Sequence, residues 1–573
     1  MTATPAIQSD VVIVGSGAAG LATAVTAAWL GLSVTVLEKD RLLGGTSAWS
    51  GGWLWIPRNP LAVAAGIAEP IEAPLAYLRH ELGAAFDATK ARRFLEQGPR
   101  MVAFFRNHTR LDFVDGNAIP DFHHPAPGSR AGGRSVCAAP FDGRELGARV
   151  TDLAPPLELV SPFGMGIASG ADLRHFLFAT RTLVSFRHVA GRLARHARDV
   201  VRHGRGMHLV NGNALIARLL ASADDLGVRI ETAMPVGDLI VEDGRVAGVV
   251  ATSQDGTSHV FRASHAVVLA TGGFPHDVAR KAAMFPHAPT GREHHSAAPD
   301  TNTGDGLRLG ELAGGRVRHD LSDAGAWAPV SLVPRADGST GRFPHLVERA
   351  KPGLIMVRRN GRRFANEADS YHDVMKALFA ATPAGEPHEC WLIADLTFVR
   401  RYGLGRVRPW PFPHAAWLAN GYLRRGATIA DLAREAGISP EGLAATVEAF
   451  NDDAASGLDS QFRRGESAYN RIQGEAGGGP NLCVAPIMTA PYFAVRVVPG
   501  SLGTFAGLAT DAEARVLDAD DRPIDGLYAV GNDMSSIMGG RYPAGGITLG
   551  PAMTFGYIAA HHMAGLPLDG NKT

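Results

Sequence analysis

The feature that most constrains this fold is a glycine-rich turn between two hydrophobic segments near the N-terminus. The turn reads Val-Ile-Val-Gly-Ser-Gly-Ala-Ala-Gly over residues 12–20, and the next hydrophobic segment, residues 33–37, ends at Glu38. This order predicts a strand, a tight turn, a helix and a second strand, which together form a dinucleotide-binding βαβ unit. An ordinary βαβ unit with a glycine-rich turn is the alternative. The acid at the end of the second strand disfavours it, because that position accepts hydrogen bonds from a ribose diol.

The glycines of this turn have separate physical roles. Gly15 permits the tight turn, Gly17 lets the backbone approach a pyrophosphate, and Gly20 lets the helix pack closely on the strand. The positive end of the helix dipole faces the phosphates. We therefore predict that the unit binds its cofactor through Gly15, Gly17, Ala18, Ala19, Gly20 and Glu38.

Further glycine turns indicate which dinucleotide binds. A second loop of glycines and hydroxyl residues follows Glu38, and glycines also follow the hydrophobic segments 266–269 and 527–530. A nicotinamide cofactor has no need of that second loop, whereas FAD lies extended and needs close backbone approach. We therefore predict FAD, with these further contacts: Lys39, Gly44, Gly45, Thr46, Ser47, Ser50, Gly51, Gly52, Val236, Ala270, Thr271, Gly272, Gly531, Asn532, Gly546 and Leu549.

The separated glycine segments resemble the FAD-binding fold of the fumarate reductase and succinate dehydrogenase flavoprotein superfamily. The resemblance implies an α/β fold in which a Rossmann-like FAD-binding domain is interrupted by an α+β substrate (cap) domain. Members of that superfamily often carry a histidine for covalent flavin attachment just before the position of Gly44 and Gly45. This chain has no histidine there. We therefore expect non-covalent FAD.

Changes of pattern along the chain predict its domain organisation. Residues 1–284 are assigned to the FAD-binding domain, with a helical insertion at about 60–205. Residues 285–494 are assigned to the cap domain, and residues 495–573 to the C-terminal part of the FAD-binding domain, which ends in a helix over 553–564. We expect the active site between the two domains, where ligand clefts usually lie.

Charge and cysteine content restrict the partners. Lysine plus arginine equals aspartate plus glutamate, at 56 each, so no nucleic-acid partner is indicated. The three cysteines have no paired or metal-binding spacing, so we predict no metal and a reducing compartment. The N-terminus lacks a signal-peptide pattern, and we expect the cytoplasm. The arginine-rich stretch 174–205 suits a membrane-surface helix, but a solvated amphipathic helix is the favoured interpretation.

Three further segments narrow the resemblance. They are residues 360–371 (NGRRFANEADSY), 464–469 (RGESAY) and 539–557 (GGRYPAGGITLGPAMTFGY), of which the last is the most specific. Together with the glycine turn they resemble the 3-ketosteroid Δ1-dehydrogenase family over nearly the whole chain. In that family the flavin takes a hydride from one ring carbon while a tyrosine removes a proton from the neighbouring carbon.

The resemblance implies roles for particular residues. Tyr371 is implied as the base, and the Tyr542 hydroxyl and the Gly546 N–H as the two donors to the ketone oxygen. Two such donors stabilise the enolate that develops as the α-hydrogen leaves. The family has a further tyrosine that supports the base. Phe122 stands at its position here, with His123 or His124 as alternative supports.

The sequence thus predicts an FAD-dependent dehydrogenase that introduces a C=C bond next to the carbonyl of a cyclic ketone. A 3-ketosteroid is the leading substrate, a smaller cyclohexanone-type ketone the nearest variant, and a quinone or similar carrier the electron acceptor. A fumarate- or urocanate-type reductase would need arginines and a histidine for carboxylates, and the tyrosines at 371 and 542 disfavour it. A flavoprotein electron carrier without a substrate of its own is a further alternative.

Overall fold

The computed structural model describes residues 6–475 and 479–568. The strands in chain order are β1 (Ile7–Val14), β2 (Val34–Leu37), β3 (Trp53–Trp55), β4 (Phe113–Asp115), β5 (Ser135–Ala138), β6 (Phe141–Asp142), β7 (His208–Leu209), β8 (Arg229–Glu231), β9 (Val236–Glu242), β10 (Arg245–Thr252), β11 (Ser258–Leu269), β12 (Gly325–Pro334), β13 (Thr340–Pro344), β14 (Leu354–Val357), β15 (Cys390–Asp395), β16 (Arg424–Gly426), β17 (Tyr492–Thr504), β18 (Arg515–Leu517) and β19 (Pro523–Ala529).

The helices in chain order are α1 (Ala18–Trp29), α2 (Gly45–Trp49), α3 (Pro60–Ala64), α4 (Glu72–Leu82), α5 (Ala88–His108), α6 (Ala171–Leu177), α7 (Leu183–His203), α8 (Asn211–Asp225), α9 (Val278–Met284), α10 (Asp305–Leu312), α11 (Tyr371–Ala381), α12 (Leu396–Tyr402), α13 (Ala415–Ala419), α14 (Ile429–Ala436), α15 (Pro440–Ala455), α16 (Ala468–Gln473) and α17 (Leu549–Met563). Within the described residues, no helix is long and apolar enough to cross a membrane.

The predicted βαβ unit lies at the centre of the largest sheet. Its parallel strands run in the order β19-β11-β1-β2-β8, β18 adds an antiparallel edge, and the antiparallel strands β10 and β9 branch from β11. Residues 11–14 of β1 and all of β2 are buried, as expected for parallel strands covered on both faces. Helix α1 packs against both α8 and α17 beside this sheet. The expected α/β fold is confirmed.

A second, antiparallel sheet supports the other half of the molecule. Its strands run in the order β13-β12-β17-β15-β14, and β16 also pairs with β17. Helix α11 packs against β12. The domain boundaries stay a prediction, and β17 runs through the position 494/495 that separates two of them.

The last helix begins earlier than the sequence pattern indicates. It runs over Leu549–Met563, whereas the pattern predicts 553–564. Pro551 lies in the first turn, where a missing N–H removes no intrahelical hydrogen bond, so the helix accommodates it. The earlier start brings the N-terminus of α17 to the site described next.

Candidate active site

A large cavity connects the glycine turn after β1 with the second sheet. Its volume is about 1240 Å³. Pockets for one small molecule usually hold about 300–1,000 Å³. The cavity is therefore large enough for a dinucleotide and a second molecule beside it.

Most of the predicted cofactor-binding residues line this cavity. They are Gly15, Gly17, Ala18, Ala19, Glu38, Lys39, Gly45, Thr46, Ser47, Ser50, Gly51, Gly52, Val236, Ala270, Thr271, Gly272, Gly531, Asn532, Gly546 and Leu549. Gly20 and Gly44 lie behind the wall. A Cβ at Gly20 would come within 2.1 Å of the Gly15 carbonyl oxygen, so this glycine serves the close packing of helix and strand. Gly44 has a φ of +110°, which favours glycine.

The backbone around the glycine turn leaves the room that an extended dinucleotide needs. A Cβ at Gly17 would meet only the Ser47 hydroxyl, at 3.5 Å, and a Cβ at Gly45 would meet no atom within 4 Å. Gly17 is the N-cap of α1 and provides no side-chain cap, and Ala18 N–H donates to the Ser47 hydroxyl at 3.0 Å. The remaining N–H groups of this helix end can bind phosphate. The residues present therefore fit FAD.

Glu38 is fixed in place by its neighbours. One carboxylate oxygen accepts from the Ser16 N–H at 2.9 Å and the Ser16 hydroxyl at 2.6 Å, and the other accepts from the Asp40 N–H at 2.9 Å. Burial raises the pKa of Glu38, while these hydrogen bonds lower it. A carboxylate has about four acceptor sites, so acceptor capacity remains for a ribose diol. The sequence pattern did not identify Ser16 as the residue that orients this acid.

Asp533 joins two of the glycine turns and was not among the predicted residues. Its carboxylate accepts from the N–H groups of Thr271, at 2.5 Å, and Gly273, at 2.9 Å. The Thr271 hydroxyl donates a third hydrogen bond, at 3.0 Å. Burial raises the pKa of Asp533 to about 6. The sequence feature that could have identified Asp533 is its position directly after Asn532, in the turn that follows β19.

Tyr371 and Tyr542 lie side by side where the cavity reaches the second sheet. Their ring centroids are 4.9 Å apart with 77° between the ring planes, and both side chains are buried. Ser370 caps the helix that Tyr371 begins, by accepting from the Asp373 N–H. Burial and the neighbouring Tyr542 raise the pKa of Tyr371 well above its usual value.

Tyr542 is the less perturbed of the two phenols. Burial raises its pKa to about 12, and side-chain hydrogen bonds with Tyr371 and Thr548 offset part of that rise. At neutral pH the Tyr542 hydroxyl is therefore protonated and can donate a hydrogen bond. Thr548 lines the same cavity and was missed by the sequence pattern.

Gly546 presents an available donor beside the tyrosines. Its carbonyl accepts from Trp55 N–H at 3.0 Å and from Gly550 N–H at 2.9 Å, whereas its own N–H donates to none of the described residues. Its φ is +98°, and a Cβ there would lie 2.6 Å from the Trp55 nitrogen. Glycine is thus required at this position by the contact with β3.

Phe122 completes an aromatic wall around the two tyrosines. Its ring centroid lies 5.8 Å from those of Tyr371 and Tyr542 and 4.3 Å from that of Tyr469. Its N–H donates to the Pro543 carbonyl at 2.9 Å, which fixes the loop. Tyr469 lines the cavity and is buried. The sequence pattern singled out its segment but gave it no role.

Neither neighbouring histidine contacts Tyr371 by a hydrogen bond. The His123 ring bridges Glu81, at 2.6 Å, and Asp373, at 2.7 Å. Burial lowers the pKa of His123, but the hydrogen bonds to Asp373 and Glu81 outweigh burial and raise it to about 10. The His124 ring contacts the Ser129 hydroxyl at 3.0 Å. The hydroxyl missing at Phe122 is thus not replaced by either imidazole.

The fold and this site define a class. A dinucleotide cradle on a parallel sheet, opening onto a buried phenol pair, belongs to an FAD-dependent oxidoreductase that acts on CH–CH groups. Comparison with known proteins is in agreement. The family model described as FAD binding domain matches residues 10–549.

Two characterised relatives cover nearly the whole chain. The 4-oxocyclohex-2-ene-1-carboxylate 5-dehydrogenase of Sinomonas cyclohexanicum is 38% identical over 564 residues, which are 98% of this chain and 94% of the relative. The 3-oxosteroid 1-dehydrogenase of Mycobacterium tuberculosis is 36% identical over 579 residues, which are 97% of this chain and 98% of the relative.

A solved structure is similarly close. The crystal structure of 3-ketosteroid delta1-dehydrogenase from Sterolibacterium denitrificans, in complex with 1,4-androstadiene-3,17-dione, superimposes with a TM-score of 0.90 at 34% identity and covers 97% of this chain and 99% of that one. The chain therefore belongs to the FAD-binding flavoprotein family that contains the 3-ketosteroid Δ1-dehydrogenases. The family, the fold class and FAD as the cofactor are confirmed.

Proposed function

We propose that this protein introduces a C=C bond next to the carbonyl of a cyclic ketone, with Δ1-desaturation of a 3-ketosteroid as its reaction. The observation that carries this proposal is the Tyr371–Tyr542 pair in a cavity continuous with the FAD cradle. The cavity also has apolar lining residues outside the cofactor cradle, which suit a polycyclic ketone. That lining includes Leu159, Phe176, Leu177, Val189, Leu193 and Phe343.

The ketone oxygen is held by Tyr542 and Gly546 in this proposal. The Tyr542 hydroxyl is protonated at neutral pH, and the Gly546 N–H has no partner among the described residues. Two donors that converge on one oxygen stabilise the negative charge that develops as the α-proton leaves. Both tyrosine side chains are buried, and a hydrogen bond is stronger in a buried site than in water.

Tyr371 acts as the base that removes this proton. Bound FAD supplies a hydride acceptor at its N5 atom. The raised pKa of Tyr371 makes the phenolate scarce at neutral pH but strongly basic once it forms. The N-terminus of α17 reaches the cavity at Leu549, and its dipole favours negative charge at that end.

The acceptor and the compartment belong to the same proposal. We propose that electrons leave to a quinone or a similar carrier, since the sequence has no second nucleotide fingerprint for NAD(P)H. The cytoplasm is the proposed compartment, because the three cysteines are free thiols. Membrane association is a further hypothesis, because α7 exposes the apolar residues Leu183, Val184 and Phe186.

A smaller ketone is the second candidate substrate. The relatives named for 4-oxocyclohexene and 4-oxocyclohexane carboxylates favour it, as does Phe122 at the position of the family's supporting tyrosine.

The test mixes the FAD-loaded protein, without oxygen, with 4-androstene-3,17-dione or with 4-oxocyclohexanecarboxylate. Loss of visible flavin absorbance, with the dehydrogenated product identified by mass spectrometry, supports the proposal and chooses between the substrates. Retention of the colour with both ketones would remove ketone desaturation as the function.

A further inference from the structure

The end of the cavity beyond the tyrosines carries an excess of positive charge. Among the described residues that line it there, the cationic side chains are Lys351, Arg400, Arg401, Arg406 and Arg408, and the carboxylate is Glu348. The other lining acids, Glu38, Asp40 and Asp305, belong to the cofactor end. Such a wall can form ion pairs with an anionic group on a ligand that otherwise contacts the apolar lining.

Only part of this charge is balanced by neighbouring carboxylates. Arg401 pairs with Glu475 at 2.5 Å, and Arg406 pairs with Glu158 at 2.8 Å. Glu348 is engaged by His345, at 2.5 Å. Within the described part of the chain, Lys351, Arg400 and Arg408 form no ion pair.

Lys351 is the most constrained of these cations. It is 8% exposed, and its ammonium donates to the carbonyls of Gln473, at 2.6 Å, and Gly474, at 2.8 Å. An ammonium has three N–H donors, so one remains. Burying a cation without a carboxylate is costly, and burial lowers the pKa of Lys351. A contact with an anionic ligand would offset that cost.

A further buried donor accompanies Lys351. Among residues 6–475 and 479–568, the Nε atom of Arg401 has no hydrogen-bond partner. Buried polar atoms are rarely left unsatisfied in native proteins. An oxygen of a bound ligand that reached this atom would satisfy it.

Arg408 also lines the cavity, but aromatic rings rather than carbonyl groups contact its side chain. Its guanidinium lies over the rings of Phe163, at 4.6 Å, and Phe412, at 5.3 Å. Stacking uses the faces of the guanidinium and leaves its in-plane N–H groups for an acceptor. All three residues line the cavity.

The spacing suits a ligand that spans from the tyrosines to this wall. Gln473 lies one turn of α16 after Tyr469, about 6 Å along the helix axis. The Tyr469 ring lies 4.3 Å from the Phe122 ring, which contacts both Tyr371 and Tyr542. Because the Lys351 ammonium contacts the Gln473 and Gly474 carbonyls at the end of this helix, a ligand with its ketone at the tyrosines can extend along α16 toward Lys351.

We infer that the cationic end of the cavity binds a carboxylate on the substrate, so that the preferred substrate is a cyclic keto acid rather than a neutral ketone. This inference rests on the proposed function for the ketone end. The carboxylate can belong to a one-ring acid or to the side chain of a steroid acid, and the chemistry at the wall is the same.

The test measures binding separately from turnover, with ligands that are already dehydrogenated and cannot reduce the flavin. The FAD-loaded protein is titrated with two acid–ester pairs, and the change in the visible flavin spectrum gives Kd. One pair is 4-hydroxybenzoate and its methyl ester, and the other is 3-oxopregna-1,4-diene-20-carboxylate and its methyl ester. We expect the acid of at least one pair to bind about tenfold or more tightly than its ester, as for a charge-assisted hydrogen bond.

Variants of the cationic residues test which side chains cause the preference for the acid over the ester. Lys351→Met and Arg408→Gln should each reduce the acid-to-ester ratio about tenfold and leave the Kd of the ester nearly unchanged, whereas Lys351→Arg should keep most of the ratio. Arg408→Gln does not touch the end of α16, so it serves even where Lys351→Met fails to fold. Arg434→Gln, on the exposed surface of α14, removes one charge elsewhere and should keep the wild-type ratio.

The outcomes separate this inference from the proposed function. Equal binding of acid and ester, binding of neither, or a ratio that survives both charge-removing variants would overturn the inference. Flavin reduction by neutral and acidic ketones alike, without an acid preference in binding, leaves the proposed function standing alone. An acid preference in binding, without flavin reduction by any ketone, would support the inference about the cationic end and contradict the proposed function.

Discussion

The ring of Phe122 lies almost parallel to that of Tyr542, with 8° between their planes and 5.8 Å between their centroids. The same ring is nearly perpendicular to that of Tyr371, with 80° between the planes and 5.8 Å between the centroids. An apolar group thus stands where a hydroxyl would stabilise a phenolate. Phe122 therefore packs beside the two tyrosines but donates no side-chain hydrogen bond to Tyr371, the proposed base.

Phe122→Tyr should shift the pH dependence of the reaction. A hydroxyl that donates to the Tyr371 phenolate favours the charged form and lowers the pKa of Tyr371. The phenolate is the competent form, so the rise of activity with pH should move to lower pH, by about one unit for one hydrogen bond. The measurement is the rate of anaerobic flavin reduction against pH. Phe122→Leu is the control, and an unchanged profile in Phe122→Tyr would contradict the assignment.

Tyr371→Phe should remove the base while preserving the aromatic packing. General base catalysis contributes about 10²–10⁴-fold, so flavin reduction should slow by at least about 10²-fold. The residual rate should lose the alkaline rise of the wild type, because no phenolate remains at this position. A variant that reduces its flavin rapidly, with the wild-type pH profile, would show that another group takes the proton.

Tyr542→Phe should weaken polarisation of the ketone. Loss of one donor to a developing oxyanion costs about 10²–10³-fold, so kcat should fall by about 10²-fold or more while FAD stays bound. The alkaline rise attributed to Tyr371 should persist. Steady-state turnover at several pH values, with the flavin content of the variant measured beforehand, decides this. Wild-type turnover would exclude Tyr542 from the mechanism.

FAD should be released intact when the protein is denatured. The stretch before Gly44 and Gly45 holds no histidine for attachment, and the three cysteines are buried thiols. Acid precipitation should therefore transfer all the yellow colour to the supernatant, where FAD is identified by chromatography. Colour that stays with the precipitated protein would establish a covalent bond.

The cofactor half of the site was predictable because local sequence encodes it. Gly15, Gly17 and Glu38 form one βαβ unit, and their spacing alone places them at one cavity wall. Tyr371 and Tyr542 came from the family resemblance, since neither position follows from periodicity. Arg408 and Lys351 were not singled out, because they are distant in sequence and only the fold brings both to the lining of one cavity.

The contacts of Glu38 show that a sequence motif predicts the position of a residue but not its individual hydrogen bonds. The spacing predicts an acid at the ribose, and the structure adds that Ser16, inside the motif, donates two hydrogen bonds to it. Asp533 is similar, since its partners Thr271 and Gly273 lie some 260 positions earlier in the chain. Such contacts depend on how separate turns meet at the sheet edge, which no local pattern contains.

His123 should make the stability of the protein depend on pH. Its imidazolium is held between Glu81 and Asp373, and its pKa of about 10 in the folded protein exceeds the value of about 6.5 in an unfolded chain. The folded state therefore binds the proton more tightly. The contribution of His123 to stability is complete below pH ~6.5, declines as pH rises, and is lost above pH ~10. The difference in Tm between the wild type and His123→Gln should accordingly be largest near pH 6 and shrink toward pH 10.

Thermal unfolding of both proteins across this range, at one FAD concentration, gives that difference directly. His124→Gln is the matched control, because it removes the adjacent imidazole, whose ring contacts the Ser129 hydroxyl, and leaves the contacts of His123 with Glu81 and Asp373 in place. The imidazolium also joins the Phe122 loop to Asp373 in the first turn of α11, which begins with Tyr371. If the Tm difference is constant over the range, His123 is neutral in the folded protein. The loop and the helix would then be joined by neutral hydrogen bonds instead of an ion pair.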